Sequence, residues 1–352
     1  MLNSFKIKNF KKFTELDLQN FSRINVFVGN NNSGKSTILE TIELVSSNDF
    51  YTPLQRSLRI INIDGYRRMT RSMMPIRQRF DIVGNVEDFL FNQTSNKQAT
   101  FAISGANISS DTVVSIGVDS KISMEQFELI QKNDFHEQNL IKQSINYKIT
   151  VNGSLKSESS IIVDSDNGLM STKIRQMVKL YNVEYFQTKD LNIIGEMYSN
   201  LVKNKQKELL IDCLKDFDEK ISNIELLNGE FSVDIGKDIL LPINYLGAGI
   251  VSIVYLMIYI LNIANGVLLI DELENGIYYK KFETLIKTID KLSKDLNVQL
   301  FITTHSEDFI RKLGLFSELS FYRLNPKFTG GVMCWDRDKT ISYIQDNSIE
   351  VR

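Results

Sequence analysis

The sequence predicts an α/β fold in which buried strands alternate with helices. Two runs, residues 24–28 and 267–270, are almost continuously apolar, which is typical of strands covered on both faces of a sheet. A loop flanked by glycines joins the first of these strands to a run of helical periodicity at 37–45. Because 352 residues exceed one ordinary domain, we expect one large unit with insertions, or two domains.

Composition and charge exclude several classes of protein. Hydrophobic residues make up 43% of the chain and charged residues 24%, which excludes a mostly disordered or fibrous protein. A net charge of −2 argues against nucleic-acid binding over the whole surface but leaves room for a local basic patch. Cys213 and Cys334 cannot form a disulfide framework or, with two histidines, readily build a structural zinc site, so we expect a reduced, cytoplasmic setting.

The first half of the chain begins with strands predicted at 5–10, 16–18 and 24–28. From about 80 to 163, short alternating runs separated by turn residues predict an antiparallel sheet, with a helix at 124–142 inside it. In that sheet, Asn152-Gly153 is a strong signal for a hairpin turn.

The second half is predicted to be mainly helical before α/β alternation returns. Residues 190–227 keep an apolar rhythm of 3.6 residues, which predicts helix. The elements expected after residue 240 are a helix at 250–263, a strand at 267–270, a helix at 279–294, a strand at 299–303 and a further helix.

One stretch imitates a membrane span. Residues 250–270 are nearly all apolar and approach the length that a bilayer requires. Asn262, Asn265 and Gly266 interrupt the run, so we expect a buried helix followed by a strand, and no association with a membrane.

The most specific motif is the loop at 29–37, which reads GNNNSGKST and matches G-x-x-x-x-G-K-[ST] at every fixed position. Its glycines let backbone amides curl around phosphate oxygens at a helix N-terminus. Lys35 can reach the β- and γ-phosphates, and the Ser36 hydroxyl can ligate Mg²⁺. The residues predicted to bind nucleotide here are Gly29, Asn30, Asn31, Asn32, Ser33, Gly34, Lys35, Ser36 and Thr37.

Two apolar strands end in polar residues at the carboxyl edge where open α/β sheets bind ligands. Asp271 is expected to orient Mg²⁺ through water and Glu272 to polarise the attacking water. The alternative is a surface acidic turn that also includes Glu274. His305 can hydrogen-bond the γ-phosphate or the attacking water, and the alternative for it is an ordinary surface histidine.

Gly247 and Gly249 precede the apolar helix at 250–263. Bare amides at the positive end of a helix dipole form a second phosphate-binding geometry. A loop that uses glycines only for turning is equally compatible with this spacing.

These motifs follow one another in the order found in ABC-type ATPases. The opening IKNFKKF at 7–13, the loop GNNNSGKST, the run DELENG at 271–276 and TTHS at 303–306 together resemble the SMC/RecF/OLD-like branch. The resemblance covers roughly residues 1–50 and 240–352. It implies an α/β P-loop NTPase of ABC/SMC-head type, in which a mixed sheet carries an antiparallel β insert and a short helical arm.

The resemblance divides the chain into three segments. They are an N-terminal ATPase lobe at 1–185 with the β insert at about 80–163, a helical arm at 186–235 and a C-terminal ATPase lobe at 236–352.

The resemblance also implies ATP and Mg²⁺ as cofactors. It further implies a homodimer, or a larger assembly with an even number of copies, in which two heads enclose two ATP molecules. Gly247 and Gly249 would contact the partner's ATP, Asp271 would support Mg²⁺, Glu272 would be the general base and His305 would sense the γ-phosphate. Gln187 is matched to the glutamine that links the metal to the helical arm, and an ordinary glutamine at a strand end is at least as compatible.

Two departures from the family pattern favour slow hydrolysis. Gly247 stands where relatives carry the first serine of the signature, and Tyr278 stands where they often carry histidine. We therefore expect ATP to serve mainly as a conformational and assembly signal.

The resemblance implies a sensor or scaffold of a bacterial anti-phage defence system that controls a separate nuclease or toxin subunit. The segment after His305 is too short for a fused Toprim domain, so no nuclease activity is expected in this chain. One alternative is a RecF-like repair or recombination ATPase that binds DNA ends. A transporter ATPase subunit is the least favoured, because the middle of the chain is antiparallel and lacks an evident coupling segment.

Seven of the thirteen arginines fall within residues 56–79, where only Asp64 opposes them. They are Arg56, Arg59, Arg67, Arg68, Arg71, Arg77 and Arg79. Arginine forks suit phosphates and carboxylates, so this segment predicts binding of DNA or of an acidic protein partner. The alternative is a solvated loop beside the P-loop helix.

Overall fold

The computed structural model describes residues 1–46, 53–54, 90–92, 97–106, 108–119, 143–164, 168–175, 180–188, 190–325 and 331–345. The arginine cluster at 56–79 and the predicted helix at 124–142 lie outside the described residues. The chain divides into two compact units. The first comprises Met1, Asn20–Leu39 and Tyr181–Arg352, and the second comprises Leu2–Gln19 and Glu40–Leu180.

The strands, in chain order, are β1 (Leu2–Phe10), β2 (Phe13–Leu18), β3 (Ile24–Gly29), β4 (Gln98–Gly105), β5 (Ile108–Asp119), β6 (Gln143–Val151), β7 (Ser154–Asp164), β8 (Gly168–Arg175), β9 (Val183–Tyr185), β10 (Asn223–Leu227), β11 (Glu230–Asp234), β12 (Leu241–Pro242), β13 (Val267–Ile270), β14 (Gln299–Thr303), β15 (Leu319–Leu324) and β16 (Val332–Asp336). The α-helices are α1 (Lys35–Ser46), α2 (Leu191–Lys203), α3 (Lys207–Lys215), α4 (Ala248–Asn262), α5 (Phe282–Asp295), α6 (Glu307–Ile310) and α7 (Arg337–Gln345). Short 3₁₀ turns lie at Ile243–Leu246, Tyr279–Lys281 and Leu313–Leu315.

A six-stranded mixed sheet organises the first unit, in the order β16-β15-β3-β14-β13-β9. All neighbouring pairs in it are parallel except β15 and β16, which pair antiparallel at one edge. Every residue of β3, β13 and β14 is buried, which confirms the prediction of buried strands drawn from their largely apolar sequences. Since β3, β14 and β13 are parallel neighbours, their carboxyl ends meet at one edge of the sheet.

Helix α4 is the apolar stretch that imitates a membrane span. Its residues 253–261 are all buried in the core of the first unit, and β13 follows as a separate element. This confirms the predicted division into a buried helix and a strand. Across the part of the chain that the structure describes, no helix is both long and apolar enough to cross a bilayer.

The prediction of continuous helix at 190–227 is wrong in its last part. Helices α2 and α3 are separated at Lys205, which has a positive φ of 58°. Beyond α3, β10 and β11 form an antiparallel hairpin that continues into β12. The hairpin turns at Asn228 and Gly229, both with positive φ, as a two-residue turn requires. That Asn-Gly pair is the sequence signal for the hairpin, but the regular apolar spacing upstream favoured helix.

The second unit contains a seven-stranded antiparallel sheet in the order β2-β1-β4-β5-β6-β7-β8. The predicted antiparallel insert is therefore confirmed, but its sheet also takes in β1 and β2 and continues to the end of β8. The predicted hairpin turn is found at Asn152 and Gly153, with φ of 50° and 73°. In the core of this unit Phe101 stacks on Phe5 and meets Phe10 edge to face.

Tyr198 of α2 connects this helix to the β10–β11 hairpin. Its hydroxyl donates to the carbonyl of Ile224 at 2.6 Å, and burial raises the pKa of Tyr198 to about 12. The unfolded phenol ionises near pH 10, so the contribution of Tyr198 to stability is complete below pH 10 and is lost as the pH rises through 12.

We expect Tyr198→Phe to lower the free energy of unfolding by about 1 kcal/mol at pH 8, because one buried hydrogen bond is lost. The variant should also lose less stability than the wild type between pH 8 and pH 11. Urea unfolding at the two pH values measures both effects, and an identical pH dependence in the two proteins would contradict this assignment.

Candidate functional site

Three predicted site segments follow three neighbouring strands at the same edge of the six-stranded sheet. The loop at 29–37 begins at the end of β3, Asp271 follows β13, and His305 lies just beyond β14. Strand β14 lies between β3 and β13 and pairs in parallel with both. The sheet topology thus brings together Ser36 and Asp271, which are 235 residues apart in the sequence.

The loop between β3 and α1 is folded tightly around the side chain of Lys35, which is only 5% exposed. The Lys35 ammonium donates to the carbonyls of Gly29 at 2.9 Å and Asn30 at 3.1 Å. Positive φ values at Gly29 (148°), Asn32 (63°) and Gly34 (104°) shape the curve of the loop. A Cβ on Gly29 would lie 2.5 Å from the carbonyl oxygen of Leu324 in β15, so only glycine fits at the start of the loop.

Ser36 and Asp271 form the contact between the loop and the acidic pair. The Ser36 hydroxyl donates to Oδ1 of Asp271 at 3.2 Å, and the Thr303 hydroxyl donates to the same oxygen at 2.5 Å. The 3.2 Å separation is close to the roughly 3 Å between adjacent oxygens around an octahedral Mg²⁺ with bonds of about 2.1 Å. Ser36 and Asp271 therefore fit Mg²⁺.

Among the described residues, this site included, the structure shows no group of three or more histidine, cysteine, aspartate or glutamate residues able to hold a metal ion. Two protein oxygens are a typical share for Mg²⁺, which usually keeps several waters and binds substrate phosphates in nucleotide sites.

Glu272 has a left-handed backbone with φ of 52°, which is uncommon for a residue with a side chain. Its N–H donates to the Thr303 hydroxyl at 2.8 Å, and this contact holds the backbone in place. Asn275 donates its side-chain N–H to Oε2 of Glu272 at 2.7 Å, while Oε1 lies 4.0 Å from Nε2 of His305. Backbone strain of this kind clusters at functional sites, and the side chain of Glu272 is 46% exposed.

The conformation of a single chain already requires glycine at positions 247 and 249. Gly247 has φ of 82° and ψ of 155°, a region that is almost restricted to glycine, and it lies where the 3₁₀ turn meets α4. A Cβ on Gly249 would lie 2.6 Å from the carbonyl oxygen of Gly276. This backbone contact sets the start of α4 against the turn that follows the acidic pair.

Gly249→Ala tests that close approach. We expect the extra methyl group to displace the Gly276 segment and to lower the free energy of unfolding by about 1–3 kcal/mol, as overpacking does. Gly117→Ala in β5 is the matched control, since its Cβ would meet the nearest atom at an ordinary 3.6 Å. Urea unfolding compares the two variants, and equal stabilities would contradict the packing argument.

Gln187 lies two residues beyond β9, at the same carboxyl edge as Asp271, because β9 pairs in parallel with β13. The N–H of Phe186 extends this pairing by donating to the Leu269 carbonyl at 2.8 Å. The side chain of Gln187 is half-buried, and its role as a metal ligand stays a prediction.

Sequence reasoning assigned no role to Thr303, Glu274 or Asn275. Thr303 is completely buried and contacts both acidic residues, whereas Asn275 contacts Glu272 and Glu274 contacts the backbone of His305. The available signal was a polar residue at the end of an otherwise apolar strand. That signal does not reveal which residue of the neighbouring strand it meets.

Known proteins that are similar to this chain include ATPase domains. The family model described as AAA ATPase domain matches residues 1–189 and 91–310. An ATP/GTP phosphatase of Helicobacter pylori is 25% identical over 347 residues, covering 89% of this chain and 87% of that protein. A crystal structure of an SMC head bound to the C-winged helix domain of ScpA has a TM-score of 0.51 at 13% identity, covering 97% of this chain and 99% of that one.

Proposed function

The chain belongs to the AAA ATPase domain family, and we propose that two copies of it close around two ATP molecules and hydrolyse them slowly. Its fold is that of a P-loop ATPase of SMC-head type, as the sequence resemblance predicted. The observation that supports the proposal is the contact between Ser36 and Asp271, because phosphate and Mg²⁺ binding at one sheet edge would require these two residues to meet.

Each residue at this edge has chemistry suited to a step of ATP hydrolysis. Lys35 would bind the β- and γ-phosphates, and the oxygens of Ser36 and Asp271 would hold Mg²⁺, which supplies charge neutralisation to the phosphates. Glu272 would orient the attacking water and accept its proton through Oε1, because Asn275 engages Oε2. His305 would sense the γ-phosphate next to that carboxylate.

The two-chain arrangement assigns Gly247 and Gly249 to the ATP bound by the partner. Beyond the resemblance, exposed aromatic side chains near these glycines support this arrangement. Tyr245 is 75% exposed just before Gly247, and Tyr278 is 56% exposed just after Gly276, whose carbonyl packs on Gly249. Tyrosine is enriched at protein interfaces, where its ring is buried while its hydroxyl finds a partner.

A mixing experiment tests the shared site. Gly247→Asp adds a carboxylate in space that is open within one subunit, and in the closed dimer that charge would oppose the partner's phosphates. Gly247→Ala carries the same backbone strain without the charge and is the matched control.

We expect Lys35→Ala and Gly247→Asp to be inactive separately. Their equal mixture should recover about a quarter of wild-type hydrolysis, because half of the symmetric dimers become mixed and each has one intact site. Full activity of Gly247→Asp alone, or a rate per chain that does not depend on protein concentration, would overturn the shared site.

We further propose that this ATPase acts in the cytoplasm as a sensor or scaffold of a bacterial anti-phage defence system and controls a separate nuclease or toxin. The support is the sequence resemblance, together with the absence of a disulfide at Cys213 and Cys334, the two cysteines of the sequence, which suits a reducing compartment. The chain expressed with the products of its adjoining genes should reduce plaque formation, and Lys35→Ala should remove that protection. A wild-type system that gives no protection would overturn the defence role.

The similarity to an ATP/GTP phosphatase makes GTP a second substrate to test alongside ATP.

A further inference from the structure

Two sets of hydrogen bonds join the segment after β13 to the end of β14 and the residues that follow it. In the first set, the Thr303 hydroxyl donates to Asp271 at 2.5 Å and accepts from the N–H of Glu272 at 2.8 Å. In the second set, the backbone N–H of His305 donates to Oε1 of Glu274 at 2.5 Å. Of these hydrogen bonds, only the one to Glu274 involves His305 itself.

Glu274 makes this bond with a carboxylate that is partly withdrawn from water. Its other oxygen, Oε2, is buried and accepts no hydrogen bond from the described part of the chain. A carboxylate that accepts from an amide makes a charge-assisted bond, which is stronger than a bond between neutral groups. This hydrogen bond therefore holds the Glu274 carboxylate against the backbone N–H of His305.

Consecutive residues in this segment hold the two groups that face each other across the site. Asn275 holds Oε2 of Glu272, and Glu274 holds the backbone of His305. The result is the 4.0 Å separation between Glu272 Oε1 and His305 Nε2. A shift of the His305 backbone would also move the His305 imidazole, and so it would change the distance between Glu272 Oε1 and His305 Nε2.

We propose that Glu274 is a positioning residue that fixes the imidazole of His305 relative to Glu272 during ATP hydrolysis. The inference rests on the proposed function of the same site. Glu274 acts through His305, so removing its carboxylate is harmful only while the imidazole is present.

A double-mutant cycle with His305→Ala tests the proposal in the full-length chain with MgATP. We expect Glu274→Ala to lower kcat about tenfold, the effect of losing one hydrogen bond to a charged group, and to change KM by less than about twofold. Glu274→Gln keeps an oxygen acceptor and should stay within about threefold of the wild-type kcat.

In the His305→Ala background, Glu274→Ala should lower kcat by less than about twofold further, because residues that act as a unit are not additive. Glu274→Asp keeps the charge but is too short to reach the amide. Glu274→Asp should lower kcat as much as Glu274→Ala does. If Glu274→Ala does not fold, Glu274→Asp is used in the cycle instead. Glu283→Ala on α5, which removes an exposed carboxylate outside the site, is the matched control and should leave kcat unchanged.

The same tenfold loss in the His305→Ala background would overturn the positioning role, and so would a glutamine variant as impaired as alanine. A wild-type chain that does not hydrolyse ATP would overturn the proposed function instead, so the two failures are distinguishable.

Discussion

Replacing Lys35 with alanine is expected to weaken ATP binding at least about 100-fold, since it removes charge-assisted bonds to the phosphates. The side chain is nearly buried inside its loop, where its ammonium donates to the carbonyls of Gly29 and Asn30. Equilibrium binding of a fluorescent ATP analogue in the presence of Mg²⁺ measures the effect.

The loss of Lys35 also leaves two loop carbonyls without their donor, at a cost of about 1–3 kcal/mol if they stay buried. Lys35→Met keeps most of the aliphatic stem and separates the loss of the charge from the loss of packing. Lys287→Ala, at an exposed lysine on α5 paired with Glu283, is the control and should bind ATP normally. Unchanged ATP affinity in both Lys35 variants, with folding intact, would exclude the loop as the phosphate site.

Glu272→Gln is expected to lower the rate of ATP hydrolysis by about 10²–10⁴-fold, the usual contribution of a general base. Binding of ATP should change little, because the amide oxygen of glutamine can still accept from Asn275 and because Lys35, Ser36 and Asp271 are untouched. Bound ATP should therefore accumulate and hold the two copies together as a stable dimer. Single-turnover hydrolysis and light scattering after size-exclusion chromatography measure the two effects.

Glu283→Gln removes a carboxylate of similar exposure on α5 and should hydrolyse ATP at the wild-type rate. If Glu272→Gln stayed monomeric with ATP while the wild type dimerised, Glu272 would not be the residue whose action releases the dimer. Hydrolysis at the wild-type rate by Glu272→Gln would remove it from the reaction altogether.

The structure shows the surroundings of the two residues that depart from the family pattern, Gly247 and Tyr278. Gly247 replaces the expected serine at a position with φ of 82° and ψ of 155°, where a side chain would strain the backbone. Tyr278 is exposed beside the turn that packs on Gly249, and the ammonium of Lys280 lies 5.7 Å from the centre of its ring. Neither change disturbs the contacts of Lys35, Ser36 or Asp271.

Local sequence patterns determined three central strands of the six-stranded sheet, the P-loop and the order of the site segments, because each of these is encoded by consecutive residues. Largely apolar runs at 24–28, 267–270 and 299–303 predicted buried strands, and a candidate site group lies within two residues of the end of each run. The hairpin turn at Asn152-Gly153 was readable for the same reason, since two residues suffice to define it.

Only the tertiary structure decided which separated segments meet. It placed β1 and β2 in the sheet of the insert, formed a hairpin from residues 223–234, and brought Thr303 to Asp271 and Glu274 to His305. Strand order and cross-strand register depend on packing over the whole unit, whereas periodicity reports only which face of an element is buried. The residues that hold the proposed catalytic groups in place are therefore the ones that the linear pattern could not assign.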